Sequence, residues 1–329
     1  MSKHNIKIIT VKPILSKDAI NKKEGQYFSE SHYTDHNPVV KSNTDVYGIE
    51  EDGTKKLLFK FRKNVIPDKI CIDAYNALEK HAKHKNSNRG AAAGKLKLSK
   101  LPSHVGKITK TDSFRVFYKT KSGKVSRDNI SNVSQSNIAG YYDRPDRNNY
   151  NTKTKKTTVP MCRTTQFTKK NIEKWNSTIP LIKEADKLFK KLVPDRYKIQ
   201  LDRANKTPKF QIANTAYSTI TINYNWRTAT HCDKGDLDEG FGNLIVLEKS
   251  KSKSKLKSKS KNSENSDGYI EDYSGGYLGF PRWGICVDVR QGDFLAMDVH
   301  EFHSNTPIIG DGRLSVVCYL RKKMINCKK

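Results

Sequence analysis

The stretch Trp226-Arg-Thr-Ala-Thr-His231-Cys-Asp233-Lys-Gly-Asp236, answered downstream by Asp298-Val-His300-Glu-Phe-His303 and then by Arg313, decides the fold. A His-x-Asp pair with one distant His is the ligand set of a 2-His-1-carboxylate facial triad. That set holds Fe(II) on one face and leaves positions open for a co-substrate and oxygen. Two imidazoles and a carboxylate suit Fe(II) better than a thiolate-rich set, which favours zinc or a cluster. Arg313 stands ten positions past His303. A guanidinium there matches an oxygenase that uses 2-oxoglutarate, because it clasps the far carboxylate of that acid through two parallel hydrogen bonds. Arg313 also begins a long apolar strand, where an unpaired charge is expensive. His300 competes with His303 for the third place. The spacing to Arg313, and the Asn305 and Pro307 that follow near a strand end, favour His303 and leave His300 a structural role. Cys232, between two ligands, points to the opposite face of an extended segment and reads as packing.

Around this stretch the chain reads as short strands broken by Gly and Pro: Ser218–Asn223, Asn243–Glu248, Gly284–Val289, Asp293–Asp298 and Leu314–Tyr319. Such a set, carrying a metal triad, implies a closed or sandwiched β-structure with the ligands in its mouth. Upstream, Ile6–Val11, Leu57–Phe61, Phe114–Tyr118 and Ile138–Arg144 are also strand-like. Helical spacing of Ile70, Ala74, Ala77, Leu78 and Ala82 predicts a helix capped by Asp68. A second helical stretch, 168–192, is interrupted at Pro180, which fits the first turn of a new helix with Ile182, Ala185, Leu188, Phe189 and Leu192 buried. Arg89-Gly-Ala-Ala-Ala-Gly94 reads equally as a backbone cradle for a phosphate or co-substrate and as a hinge. The Lys/Ser-rich segment 249–268 has the composition of a disordered insert and falls between two strands of the core, so it is expected as a solvent loop.

The formal charge is +28, and it remains +21 without the seven lysines of Lys249–Lys261, so the excess is spread through the chain. Such a balance predicts a polyanionic partner, nucleic acid foremost. The alternative is a lysine-rich surface serving solubility. No apolar run approaches the roughly 18–20 residues that span a bilayer. No secretory signal is evident at the N-terminus. The six cysteines are scattered, without a Cys-x-x-Cys pair, which fits reduced thiols in a cytoplasmic or nuclear setting.

Trp226–Asp236, Gly240–Glu248, Gly276–Phe280 and Gly292–Pro307 together resemble the TET/JBP family of Fe(II)- and 2-oxoglutarate-dependent nucleic-acid base oxygenases. Gly140–Arg144 and Cys162–Thr168 resemble segments of its microbial, viral and fungal members, so the likeness runs from about Arg89 to Arg321. It implies an α+β fold, a double-stranded β-helix (jelly roll) flanked by helices. It also implies oxidation of a 5-methylpyrimidine in DNA with Fe(II), 2-oxoglutarate and O2, yielding succinate and CO2. Metal ligation falls to His231, Asp233 and His303, and 2-oxoglutarate anchoring to Arg313. Asp236 matches a position where TET-like members contact the cytosine edge, and Tyr319 and Arg321 match an aromatic stack and a polar base contact. An ionised Asp accepts and does not donate, so Asp236 leans towards 5-methylcytosine, whose exocyclic amine is a donor, over thymine. The division expected is an N-terminal extension, 1–88, and an oxygenase domain, 89–329, acting as a monomer on DNA. Alternatives are a thymine 5-hydroxylase, a 2-oxoglutarate-dependent protein hydroxylase, and a catalytically silent nucleic-acid-binding module.

Overall fold

The computed structural model describes residues 6–126, 129–145, 150–151, 156–157, 160–249 and 273–327. Nearly all of the expected Lys/Ser insert therefore lies outside the described residues. The chain opens with β1 (Lys7–Val11), two short helices α1 (Lys17–Asn21) and α2 (Ser31–Thr34), β2 (Thr44–Ile49), β3 (Lys55–Arg62) and helix α3 (Asp68–Ala82). A hairpin of β4 (Val105–Thr111) and β5 (Val116–Thr120) precedes β6 (Ser136–Pro145), the short pair β7 (Tyr150–Asn151) and β8 (Lys156–Thr157), and β9 (Pro160–Thr164). Helices α4 (Gln166–Lys170), α5 (Ile172–Leu192) and α6 (Pro194–Ala204) follow. The rest is strand: β10 (Thr219–Tyr224), β11 (Gly242–Glu248), β12 (Tyr273–Gly275), β13 (Leu278–Phe280), β14 (Ile285–Val287), β15 (Phe294–Met297), β16 (Ser304–Asn305), β17 (Ile308–Gly310) and β18 (Arg313–Tyr319).

Pairing sorts the strands after residue 218 into two facing sets. The large sheet runs β1-β2-β3-β15-β11-β18-β10-β6-β9. Its four central members, β15-β11-β18-β10, are mutually antiparallel. The second set is built from β14-β13-β16 and β12-β17, with His231 bridged antiparallel to His303 at its edge. In chain order β10 lies in the large sheet, His231 in the small, β11 in the large, β12 to β14 in the small, β15 in the large, β16 and β17 in the small, and β18 in the large. That alternation is the winding of a double-stranded β-helix.

Period-two patterning sets which side chain faces which layer. On β18, Leu314, Val316 and Cys318 enter the helix-backed core, while Arg313, Ser315, Val317 and Tyr319 line the cavity between the sheets. On β10, Ile220, Ile222 and Tyr224 face the helices, and Thr221 and Asn223 face the cavity. Helices α3 and α5 cover the outer face through Tyr75, Leu78, Leu181, Ile182 and Phe189. Residues 6–62, expected as part of an extension, continue the same sheet: β3 pairs with β15, and Val11, Val46, Phe59 and Phe61 pack against Leu244, Phe280 and Trp283.

Three local expectations are corrected. Pro67 is the N-cap of α3 and Asp68 its first helical residue; the carboxylate still sits in the first turn, where the helix dipole favours it. Pro180 lies inside α5, not at the start of a helix, and the chain breaks at Asn171 instead. The buried face of α5, from Trp175 through Thr178 and Leu181 to Phe189, is continuous across the proline and outweighs its missing backbone donor. The cysteines are not all scattered in space: Cys162 and Cys327 are brought side by side, Cα–Cα 5.6 Å, because β9 packs against the C-terminal turn; 165 residues separate them, so spacing gave no sign of it. Cys71, Cys232, Cys286 and Cys318 are free. Among the described residues no helix is long and apolar enough to cross a membrane.

Candidate active site

His231, Asp233 and His303 converge although 70 residues of chain separate their two segments. The convergence is a backbone matter first: His231 N donates to His303 O at 3.1 Å, His303 N to His231 O at 3.0 Å, and Asp233 N to Val299 O at 3.0 Å. One ligand atom from each of the three lies within 4.8 Å of the others. His231 Nε2 stands 3.7 Å from Asp233 Oδ1, and His303 Nε2 3.8 Å from Asp233 Oδ2. Each imidazole is aimed by its other nitrogen: His231 Nδ1 donates to Ala229 O at 2.7 Å and His303 Nδ1 to Glu301 O at 2.9 Å. Both Nε2 atoms are thereby left as lone-pair donors, the form a metal takes. Burial and the neighbouring His303 push His231 down to about 4, so its ring is neutral. Nitrogen, nitrogen and carboxylate oxygen at these separations fit an Fe(II) ion.

The supports of this cluster come from distant sequence. Ala229 N donates to Ala92 O at 2.9 Å, inside the turn Gly90–Ala93. The segment 89–94 docks beside the His231 strand, with Arg89, Ala91 and Ala92 in the wall of the cavity that opens on the cluster, and Gly90 (φ +53°) and Gly94 (φ +82°) permit its tight turn. On the other side the Glu301 side chain accepts from Trp283 Nε1 at 2.8 Å and pairs with Lys56 of β3, fixing the residue whose carbonyl orients His303. His300 stands outside the cluster, its Nδ1 3.3 Å from Asp298 Oδ1.

A cavity of about 420 Å³ opens on the three residues, within the usual span of small-molecule sites. Arg313 lies in its wall, 2 % exposed. Its Nη2 donates to Gly276 O at 3.2 Å, its Nε is a buried donor without a partner, and no carboxylate among the described residues lies within ion-pair distance. A buried guanidinium in that condition is strongly disposed to an anionic ligand. Asp236, Tyr319 and Arg321 line the same cavity. Asp236 is 8 % exposed; burial and Asp233 push its carboxyl up, and Arg321 opposes them. Tyr319 Oη is 3.1 Å from Thr221 Oγ1. The Nε of Arg321 is already paired with Asp143. Cys232 borders the cavity as well, with a thiol that burial pushes up to about 12. Sequence reasoning missed Asn223, Phe114, Arg115 and Trp226 in the wall. Asn223 had a signal, a polar residue in phase with Thr221 on a strand whose other face is apolar.

A double-stranded β-helix holding a 2-His-1-carboxylate cluster beside a buried, carboxylate-free arginine defines the class of iron- and 2-oxoglutarate-dependent oxygenases. The chain belongs to the Tet_JBP family, the oxygenase domain of the 2OGFeDO superfamily, whose model matches residues 147–322, more than half its length. Fe(II), 2-oxoglutarate and O2 are the cofactor and co-substrates of that superfamily. Over 193 residues the chain is 32 % identical to "Thymine dioxygenase JBP1" of Trypanosoma brucei brucei, covering 56 % of this chain and 19 % of that protein. It is also 32 % identical over 193 residues to "Bifunctional helicase and thymine dioxygenase JBP2" of Leishmania infantum, covering 57 % of this chain and 15 % of the relative. The chain therefore spans less than a fifth of the length of either. A solved structure of NgTET1 in complex with 5mC DNA overlaps 99 % of this chain and 85 % of its own, with 12 % identity and a TM-score of 0.48.

Proposed function

We propose that the protein hydroxylates the methyl group of a 5-methylpyrimidine in DNA. The observation that carries the reading is that the His231–Asp233–His303 cluster, the partnerless Nε of Arg313 and the polar residues Asp236, Tyr319 and Arg321 all open on one cavity. In this reading His231, Asp233 and His303 hold Fe(II), and Arg313 receives the far carboxylate of 2-oxoglutarate. Iron with 2-oxoglutarate and O2 supplies the oxidation of a C–H bond, with succinate and CO2 as by-products. The chain's part is to orient the methyl group and keep water away. A base inside a duplex cannot reach so enclosed a cluster, so the nucleotide leaves the stack and enters the cavity.

Two bases fit. Asp236 supports 5-methylcytosine in its ionised form, as an acceptor for the exocyclic amine, whereas the protonated carboxyl that burial and Asp233 favour also donates and suits the O4 of thymine. Tyr319 offers a stacking face and Arg321 a donor to the same ring. The names of the relatives support thymine. The deciding experiment is mass spectrometry of nucleosides from DNA incubated with protein, Fe(II), 2-oxoglutarate and ascorbate. 5-Hydroxymethylcytosine from methylated DNA supports the first base and 5-hydroxymethyluracil from unmethylated DNA the second. Succinate release with neither nucleoside sinks the proposal.

A further inference from the structure

The hairpin of β4 and β5 stands at the cavity and supplies no ligand to the iron cluster. Its tip, Asp112, Phe114 and Arg115, forms part of the cavity wall. The tip is rigid: Asp112 Oδ1 accepts from Phe114 N at 2.8 Å and from Arg115 N at 2.7 Å, and Asp112 N donates to Arg115 O at 2.9 Å. That turn engages the one acidic residue between positions 105 and 126, where six are Lys or Arg. Lys107, Lys110, Lys119, Lys121 and Lys124 are all exposed, and none pairs with a carboxylate among the described residues.

The two faces of the hairpin differ. Val116 and Tyr118 pack inward with Ile130, against Leu96, Leu101 and Val105. Phe117 and Lys119, on the alternate positions, face away from that small core, and Lys110 lies over the Phe117 ring, 6.0 Å from its centroid. An aromatic ring interleaved with unpaired lysines is the composition that grips a nucleic-acid strand. Five residues of β5 extend about 17 Å, the rise of about five base pairs. The cationic face therefore leads away from the cavity over a length that several phosphates occupy.

We infer that the β4–β5 hairpin is the protein's DNA clamp, its outer face binding the phosphates that flank the target nucleotide while its tip stays beside the cavity. The inference rests on the proposed action on DNA, but it concerns binding and is read without turnover. Lys107→Gln/Lys110→Gln/Lys119→Gln removes three charges from the hairpin. Lys183→Gln/Lys190→Gln/Lys191→Gln removes three exposed charges from α5. Affinity for a fluorescein-labelled duplex, followed by anisotropy against salt concentration, gives the number of phosphate contacts. Each lost contact makes the slope of log K against log salt shallower by about 0.9. The hairpin variant should lose about 2 to 3 from the slope and the α5 variant less than about 1. Equal slopes for both variants, or a wild-type protein that binds no DNA, overturn the clamp. Hairpin-dependent slopes without any base oxidation keep the clamp and sink the proposed reaction. Base oxidation with slopes indifferent to the hairpin does the reverse.

Discussion

His231 and His303 give one ring nitrogen each to a backbone carbonyl and face each other at 4.4 Å between ring centroids. Little but a cation relieves two lone pairs and a carboxylate pointed at one spot. His231→Ala or Asp233→Ala should therefore abolish Fe(II) binding and lower base oxidation by more than the roughly 10- to 100-fold that loss of a supporting residue causes. On the proposed action on DNA, affinity comes from phosphate contacts and not from the iron, so the same variants should bind duplex as wild type does. Oxidation surviving in either variant contradicts the assignment. Arg313 makes a separate case, since its Nε lacks a partner at 2 % exposure. A charge-assisted hydrogen bond is worth about 1.5–3 kcal/mol, so Arg313→Ala should raise the KM for 2-oxoglutarate about 10- to 100-fold. Arg313→Lys should recover part of that, a single ammonium lacking the planar fork. An unchanged KM in Arg313→Ala removes the residue from co-substrate binding.

The elements that carry these residues are held from outside the metal motif. Tyr33 of α2 is fully buried and its hydroxyl lies 2.9 Å from Ser304 Oγ, next to His303. Its ring presses on Gly279 of β13 so closely that a Cβ there would meet it at 2.3 Å. Gly279→Ala should therefore cost about 1–3 kcal/mol by overpacking, seen as a lower thermal midpoint, and a midpoint equal to wild type would show that Tyr33 yields freely. At the other end of the core, Asp293 ties the start of β15 to the exit of β3, accepting from Asn64 N at 3.0 Å and Arg290 N at 2.9 Å. Burial pushes its carboxyl up to about 6. The folded value stands above the unfolded value of about 3.9, so its contribution is whole below about pH 4 and is lost as pH rises through 6. Compared by urea midpoint, wild type should lose ground to Asp293→Asn between pH 4.5 and pH 7.5. A constant gap between them would place the titration elsewhere. The strands β10, β11, β15 and β18 were legible because each has one apolar and one mixed face, or two apolar ones. The strand β2 was not, since Thr44-Asp-Val-Tyr-Gly-Ile49 carries its polar groups into ion pairs such as Asp45 with Arg62, which no periodicity announces.

For the molecule as a whole, the site was legible because its chemistry is compressed into one short motif, a histidine and an arginine at set spacing. The supports were illegible because they are backbone contacts across long separations, such as Ala229 on Ala92 and Thr230 on Gln26. The place of the first 88 residues turns on the same point. Their strand-like runs and the apolar stripe of α3 show that they bury something without showing which core they join, yet β1, β2 and β3 extend the sheet from β15. Cys71, Ala74, Tyr75, Leu78 and Ala82 of α3 belong to the principal core with Phe189, Ile220 and Val316. A boundary at residue 88 cuts through that core. Removing α3 uncovers Ile222, Ile245 and Leu314 on the outer face of the sheet, and each large apolar side chain so exposed forfeits about 1.5–3 kcal/mol. Together these three losses are comparable to the roughly 5–15 kcal/mol by which a domain is stable, and the loss of β1, β2 and β3 from the sheet adds to them. The fragment 89–329 should consequently fail to fold, giving no cooperative thermal transition, no Fe(II) binding and no base oxidation. Adding residues 1–88 as a separate chain should restore a transition if the two pieces reassemble. A fragment 89–329 that melts cooperatively and binds Fe(II) like the whole chain would instead establish the first 88 residues as a detachable extension.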